Sequence, residues 1–144
     1  AQFRVPLSFL GGFITEKSGP HKNEIDLKLA AAVHVVNCIR IFALAYGIAE
    51  TSTFGRLDEL VKARVLAPDD AEFVGAAYET IMMFRIRENI KKLMEGRRPD
   101  NYINPHNLTR REQALLKNSF SVITRLQKIT ASQFGEFGVR LVTS

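Results

Sequence analysis

Cysteine is almost missing from this 144-residue chain. Cys38 is the only one, so no internal disulfide can form, and a reducing, cytoplasmic setting is expected. It lies in an apolar run, where a buried and inert thiol is the expectation. Tryptophan is absent, and the apolar interior must draw on ten Phe and the aliphatic residues. The longest apolar stretch, Leu29 to Val36, is interrupted by His34 and followed by Asn37 and Arg40. That is shorter and more polar than the roughly 20 residues of a membrane span. The opening Ala1-Gln2-Phe3 lacks the layout of a signal peptide and starts as a piece of a larger protein would. There is no Gly-rich phosphate loop, His-Glu-x-x-His or Cys pair, and His21, His34 and His106 stand in separate segments. His34 does share a helix face with Cys38, an arrangement expected to be packed and not metal-binding. No catalytic residue, metal or cofactor is expected in this chain.

What is present suits one globular domain. Hydrophobic residues make up 46% and charged residues 24%, enough apolar material for a core without staples. The net charge of +5 is unevenly spread. Ala1–Phe84 carries eight basic and ten acidic residues, whereas Arg85–Lys128 carries eleven basic and four acidic ones. Such a basic half either solvates helices or meets an anionic partner.

The residue pattern predicts an all-α fold, an antiparallel bundle of about four main helices behind an irregular or extended arm over 1–25. Phe13-Ile14-Thr15 and Glu24–Lys28 flank a turn at Lys17-Ser18-Gly19-Pro20, which suits a small hairpin. The first helix is expected from about Asp26 to Tyr46, with Gly47 as its stop, and its apolar girth predicts central burial. A second, surface helix starts near Thr53 as cap. The third runs from Pro68 to Gly96, with Asp69, Asp70 and Glu72 at its positive end and Phe73, Ala77, Ile81, Phe84, Ile90 and Leu93 as its apolar residues. Arg97–Asn107 reads as a loop. Thr109-Arg110-Arg111-Glu112 is a capping box opening the last helix, which reaches about Phe134. The bundle thus occupies 26–135, and Gly135 and Gly138 loosen a tail over 136–144.

Arginines on apolar faces are the most distinctive feature. Arg40 lies one turn from Val36 and Leu44, and Arg85 one turn from Ile81 and Met82. A buried guanidinium requires a partner. Asp26, Glu79, Glu88 or a backbone carbonyl could supply it internally. Alternatively, Arg40, Arg85 and Arg56 line a cleft for a phosphate or carboxylate. For nucleic acid, Lys91-Lys92, Arg97-Arg98 and Arg110-Arg111 could touch phosphates, but no helix-turn-helix or aromatic platform is there to read bases.

Several blocks together resemble a known family. They are Ile25-Asp26-Leu27-Lys28, Arg40–Leu44 with Tyr46-Gly47-Ile48, Thr53 with Arg56-Leu57, and Leu60 to Leu66. Phe84-Arg85-Ile86-Arg87, Pro99–Ile103 and Leu108-Thr109 to Lys117 continue the match, and Pro6–Phe9 and Phe13–Glu16 resemble the stretch leading into it. The family is the nucleotidyltransferase substrate-binding domain. The resemblance implies a helical domain that follows a catalytic domain similar to uridylyltransferases acting on PII proteins, in signalling proteins that also carry cyclic-nucleotide-binding and cystathionine-β-synthase-type domains. Mg and a nucleoside triphosphate would belong to that catalytic domain, whose Gly-Ser and paired-Asp motif this chain lacks. The implied task is to position an acidic or phosphorylated protein substrate in a groove lined by Arg40, Arg56, Arg85, Arg87 and Tyr102, or to relay regulation. A structural module that forms a homodimer, acidic half against basic half, is the competing expectation.

Overall fold

The computed structural model describes residues 4–143, with side chains as far as residue 135. It is an antiparallel helical bundle with a two-stranded ribbon at one edge. The arm contains the expected turn: Glu16 and Asn23–Glu24 exchange backbone hydrogen bonds of 2.8–2.9 Å around it. Its end, however, pairs elsewhere. Strand β1 (Ile25–Asp26) runs antiparallel to β2 (Tyr102–Ile103), with Ile25 opposite Ile103. The segment 97–107, expected to be plain loop, therefore holds a strand and a 3-10 turn at Pro105–Asn107. Two strand residues are too few to give a period-2 pattern, and their pairing is non-local. Ile25, Leu27 and Ile103 are buried, and the Phe13 ring meets Phe120 edge-on at 6.2 Å. The arm is part of the core.

The chain enters its first helix through a π-turn, Lys28–Ala32, and continues as α1, Val33–Ala45. Asp26 Oδ1 accepts the backbone N–H groups of Lys28 and Leu29, both at 3.0 Å, satisfying donors that a helix start leaves free. Gly47, at φ 67°, ends the helix, and Ile48 N–H reaches back to Ala43 O at 2.8 Å. Val35, Cys38, Ile39 and Phe42 are fully buried, but Leu29, Arg40 and Leu44 are exposed. Burial is thus one-sided, not all round. The reason is placement: α4 covers the inner side and α2 lies against the same helix, while no described element lies over the Leu29–Arg40–Leu44 stripe. Over Lys28–Ala45 the helical segment is long and apolar enough to cross a membrane, beyond what the shorter stretch 29–36 suggested, and half of it is buried within the fold.

Helix α2 is Thr53–Lys62. Its cap is Ser52, one residue before the expected Thr53: Ser52 has the extended backbone an N-cap requires, and its Oγ accepts Gly55 N–H at 2.9 Å. Leu57 and Leu60 are its buried residues. Helix α3, Pro68–Met94, starts on Pro68 with Asp69 and Asp70 in the first turn and stops at Gly96, φ 72°. Its buried face is Val74, Ala77, Ile81, Phe84 and, one stripe further on, Lys92. Three residues expected inside, Phe73, Ile90 and Leu93, are exposed. A 3.6-residue period carries the face from Phe84 to 88 and 92, which leaves Ile90 and Leu93 on the far side.

Helix α4, Arg110–Thr143, opens with the predicted reciprocal cap. Thr109 N–H donates to Glu112 Oε1, and Glu112 N–H donates to Thr109 Oγ1, each at 3.1 Å. Gly135 (φ 60°, ψ −146°) breaks the helix where loosening was expected, but helical turns then resume to Thr143 through Gly138. Leu116, Phe120 and Ile123 of α4 are fully buried. They pack along both α1 and α3, so α4 is the axis of the bundle.

Candidate functional site

The five residues expected to line one groove are dispersed. Arg40 stands exposed on the outer stripe of α1. Arg56, at the start of α2, donates through Nε to Glu50 O at 2.8 Å, closing a local turn. Arg87 crosses from α3 to α4, where it is ion-paired with the capping residue Glu112 and lies 5.0 Å from the Phe84 ring centroid. The Arg87 hydrogen bond, ahead of the Thr109 backbone bond, holds the Glu112 carboxyl below its usual pKa. Only Arg85 and Tyr102 come near each other, joined through Asn101.

The place where they meet is the contact between α3 and the ribbon, and it contains two very different cations. Lys92 is almost completely buried. It is ion-paired with Asp100 and donates to Tyr102 O at 2.6 Å. Asp100 also accepts Tyr102 N–H at 2.9 Å, and its own N–H goes to Asn89 Oδ1 at 3.1 Å. Burial pushes the Asp100 pKa up, but the Lys92 and Tyr102 hydrogen bonds and the charges of Lys92 and His21 together bring it below the ordinary value. Lys92 was not among the expected site residues. The 3.6-residue phase that runs from Ala77, Ile81 and Phe84 through 88 to 92 could have marked it as inward-facing.

Arg85 is half-buried, and it has no carboxylate partner among the described residues. It donates through Nη2 to Asn101 Oδ1 at 2.8 Å and through Nη1 to Met82 Sδ at 3.2 Å. Its Nε is buried without a hydrogen-bond partner. Neither acceptor carries charge, so the guanidinium is oriented but not neutralised. None of the internal partners expected for it, Asp26, Glu79 or Glu88, is engaged with it.

Tyr102 belongs to a different environment. Its ring stacks on His21 at 3.6 Å between centroids with planes 6° apart, locking the arm's turn to the ribbon. Burial first, and then the carboxylates of Asp26, Glu16, Asp100 and Glu24, raise its phenol pKa. That acidic surround disfavours an anion at the phenol end, which separates Tyr102 from Arg85 as a ligand group.

Elsewhere the chemistry is quiet. Burial, only partly offset by a hydrogen bond with Thr130, pushes the Cys38 thiol up to about 11, so it stays protonated near neutrality. No cluster of three His, Cys, Asp or Glu residues able to hold a metal occurs among the described residues. A cavity of about 180 Å³ between α1, α3 and α4 is lined mainly by apolar side chains such as Phe42, Val74 and Leu126. The basic half is also less open than its composition implies, because Lys92, Arg87 and Arg97 already engage Asp100, Glu112 and Glu95.

The fold is a helical bundle whose ribbon-facing Arg85 is oriented by neutral acceptors. Residues 1–134 match the profile of the family described as "Putative nucleotidyltransferase substrate binding domain", and the chain belongs to that family. The family's description implies a nucleotidyltransferase domain as partner within the same polypeptide. Neither a curated protein nor a solved structure matches the chain.

Proposed function

We propose that this domain positions a substrate for a nucleotidyltransferase domain of the same polypeptide, and that Arg85 receives an anionic group of that substrate. The observation that carries this reading is the state of Arg85. This half-buried guanidinium, with its Nε shut off from water, has no counter-charge, and a phosphate or carboxylate is the ligand that would supply one. Asn101 and Met82 hold the group in place beforehand, so little rotamer freedom remains to be lost on binding. The domain itself performs no bond-making step. Mg and the nucleoside triphosphate are assigned to the catalytic partner, and the substrate to an acidic or phosphorylated protein.

Replacing Arg85 by Met in the full-length protein tests this. The expected result is a KM for the substrate raised at least ~10-fold, the order of a lost charge-assisted hydrogen bond, with the helical circular dichroism signal intact. An unchanged KM in a folded variant would overturn the assignment. Arg40 is exposed on α1, Arg56 donates to Glu50 O and Arg87 is paired with Glu112, so the proposal rests on Arg85.

A further inference from the structure

We propose that the outer face of α3 is a self-association surface on which a second copy of this chain docks antiparallel. This inference is independent of the role assigned to Arg85. It starts from an apolar stripe that no described residue covers. Met83, Ile86, Ile90 and Leu93 are 46%, 55%, 52% and 60% exposed, and the adjoining Met94 is 84% exposed. Their spacing of three, four and three residues is that of the a and d positions of a heptad, the geometry of a helix–helix seam. The stripe lies diametrically opposite the buried Ala77, Ile81 and Phe84, so it contributes nothing to the domain's own core. Five exposed apolar side chains in one stripe amount to roughly a few hundred Å², the scale at which such a patch points to an interaction site.

Charge along α3 selects the occupant and its direction. The outer side of the N-terminal half carries Glu72 and Glu79, both exposed. Just past the C-terminal end stand Arg97 and Arg98, also exposed. A parallel pair would set like charges side by side. An antiparallel pair about a two-fold axis between Ile86 and Ile90 sets Ile86 against Ile90 of the other copy and Met83 against Leu93. The same axis brings Glu79 towards the end bearing the exposed Arg98, twice over, whereas Arg97 there is already paired with Glu95. The surface is thus complementary to itself in shape period and in charge. Arg87, which flanks the stripe, is already neutralised by Glu112 and adds no repulsion. The patch is smaller than the ~800 Å² per partner of stable complexes, so the dimer is weak and depends on concentration.

Sedimentation of the 144-residue chain from micromolar to millimolar concentration is the test. The apparent mass should rise towards twice the 16.2 kDa of the monomer. Ile90→Glu should weaken association at least ~10-fold, since it buries a charge in the seam, and Ile86→Glu should act likewise; both positions are exposed in the monomer, so helicity is kept. A monomer at every concentration, or a dimer indifferent to both substitutions, overturns the proposal. Direction is read by oxidation: Met83→Cys mixed with Leu93→Cys should cross-link, whereas either alone should not, and Cys38 is buried and silent. Cross-links dominated by identical positions would mean parallel pairing and would also overturn it.

Discussion

Lys92 and Arg85 sit on the same helix, two turns apart, facing the same ribbon, yet their surroundings differ in kind. Lys92 has a carboxylate, a carbonyl and almost no exposure. Arg85 has an amide oxygen and a thioether, with one nitrogen left unmatched. The first arrangement is closed: it ties β2 to the end of α3, and a ligand could only disrupt it. The second is open, because orientation is provided and charge balance is not. The contrast teaches that a cation drawn into the fold is not by itself a sign of function. What separates a fastener from a receptor is whether the counter-charge is already built in.

The largest expected effect comes from breaking the closed member. Asp100→Ala leaves the Lys92 ammonium buried with only the Tyr102 carbonyl, and destabilisation of about 2–4 kcal/mol is expected. For a domain of this size that is a thermal midpoint lower by roughly 5–12 °C, measurable by calorimetry. An unaltered midpoint would show that the pair is no fastener. Arg85→Met should cost the fold far less, about 1 kcal/mol for its hydrogen bond to Asn101, while impairing substrate use in the full-length protein. Equal stability losses at the two positions would erase the distinction between them.

The smallest expected effect is on acid sensitivity. Because the Asp100 pKa is lowered in the folded state, its contribution is fully present above the unfolded value near 3.8 and is lost as pH falls through the folded one. Urea midpoints measured on descending from pH 5 should therefore drop below about pH 4. Asp100→Asn should flatten that drop. An identical slope in the variant would remove Asp100 from the acid response.

Much of the architecture was legible in the residues. The Thr109–Glu112 capping box, Pro68 at the head of α3 and the stops at Gly47 and Gly96 are local signals, each acting within one helical turn. Their outcome depends little on the rest of the chain. The sidedness of α1 was not legible, because a helix apolar on two faces does not say which one a neighbour will cover. Ile90 and Leu93 misled for a similar reason: apolarity at the end of α3 suggested core, whereas their phase places them outside. The ribbon could not be foreseen from two residues at either end of a separation of more than seventy.

The candidate site divides along the same line. That Arg85 faces inward was readable from its place one turn from Ile81. Whether it would find a carboxylate there was not, since Asn101 arrives from a segment with no strand pattern of its own. By itself the sequence determined helix starts, helix stops and the stock of charges, all of which rest on contacts within a few residues. Tertiary structure decided which charges meet across the fold, as Arg87 does with Glu112 and Lys92 with Asp100, while pairs such as Lys62 with Glu59 are local. An ion pair forms only where folding brings both partners within about 4 Å; at this ribbon that happened for Lys92 and not for Arg85.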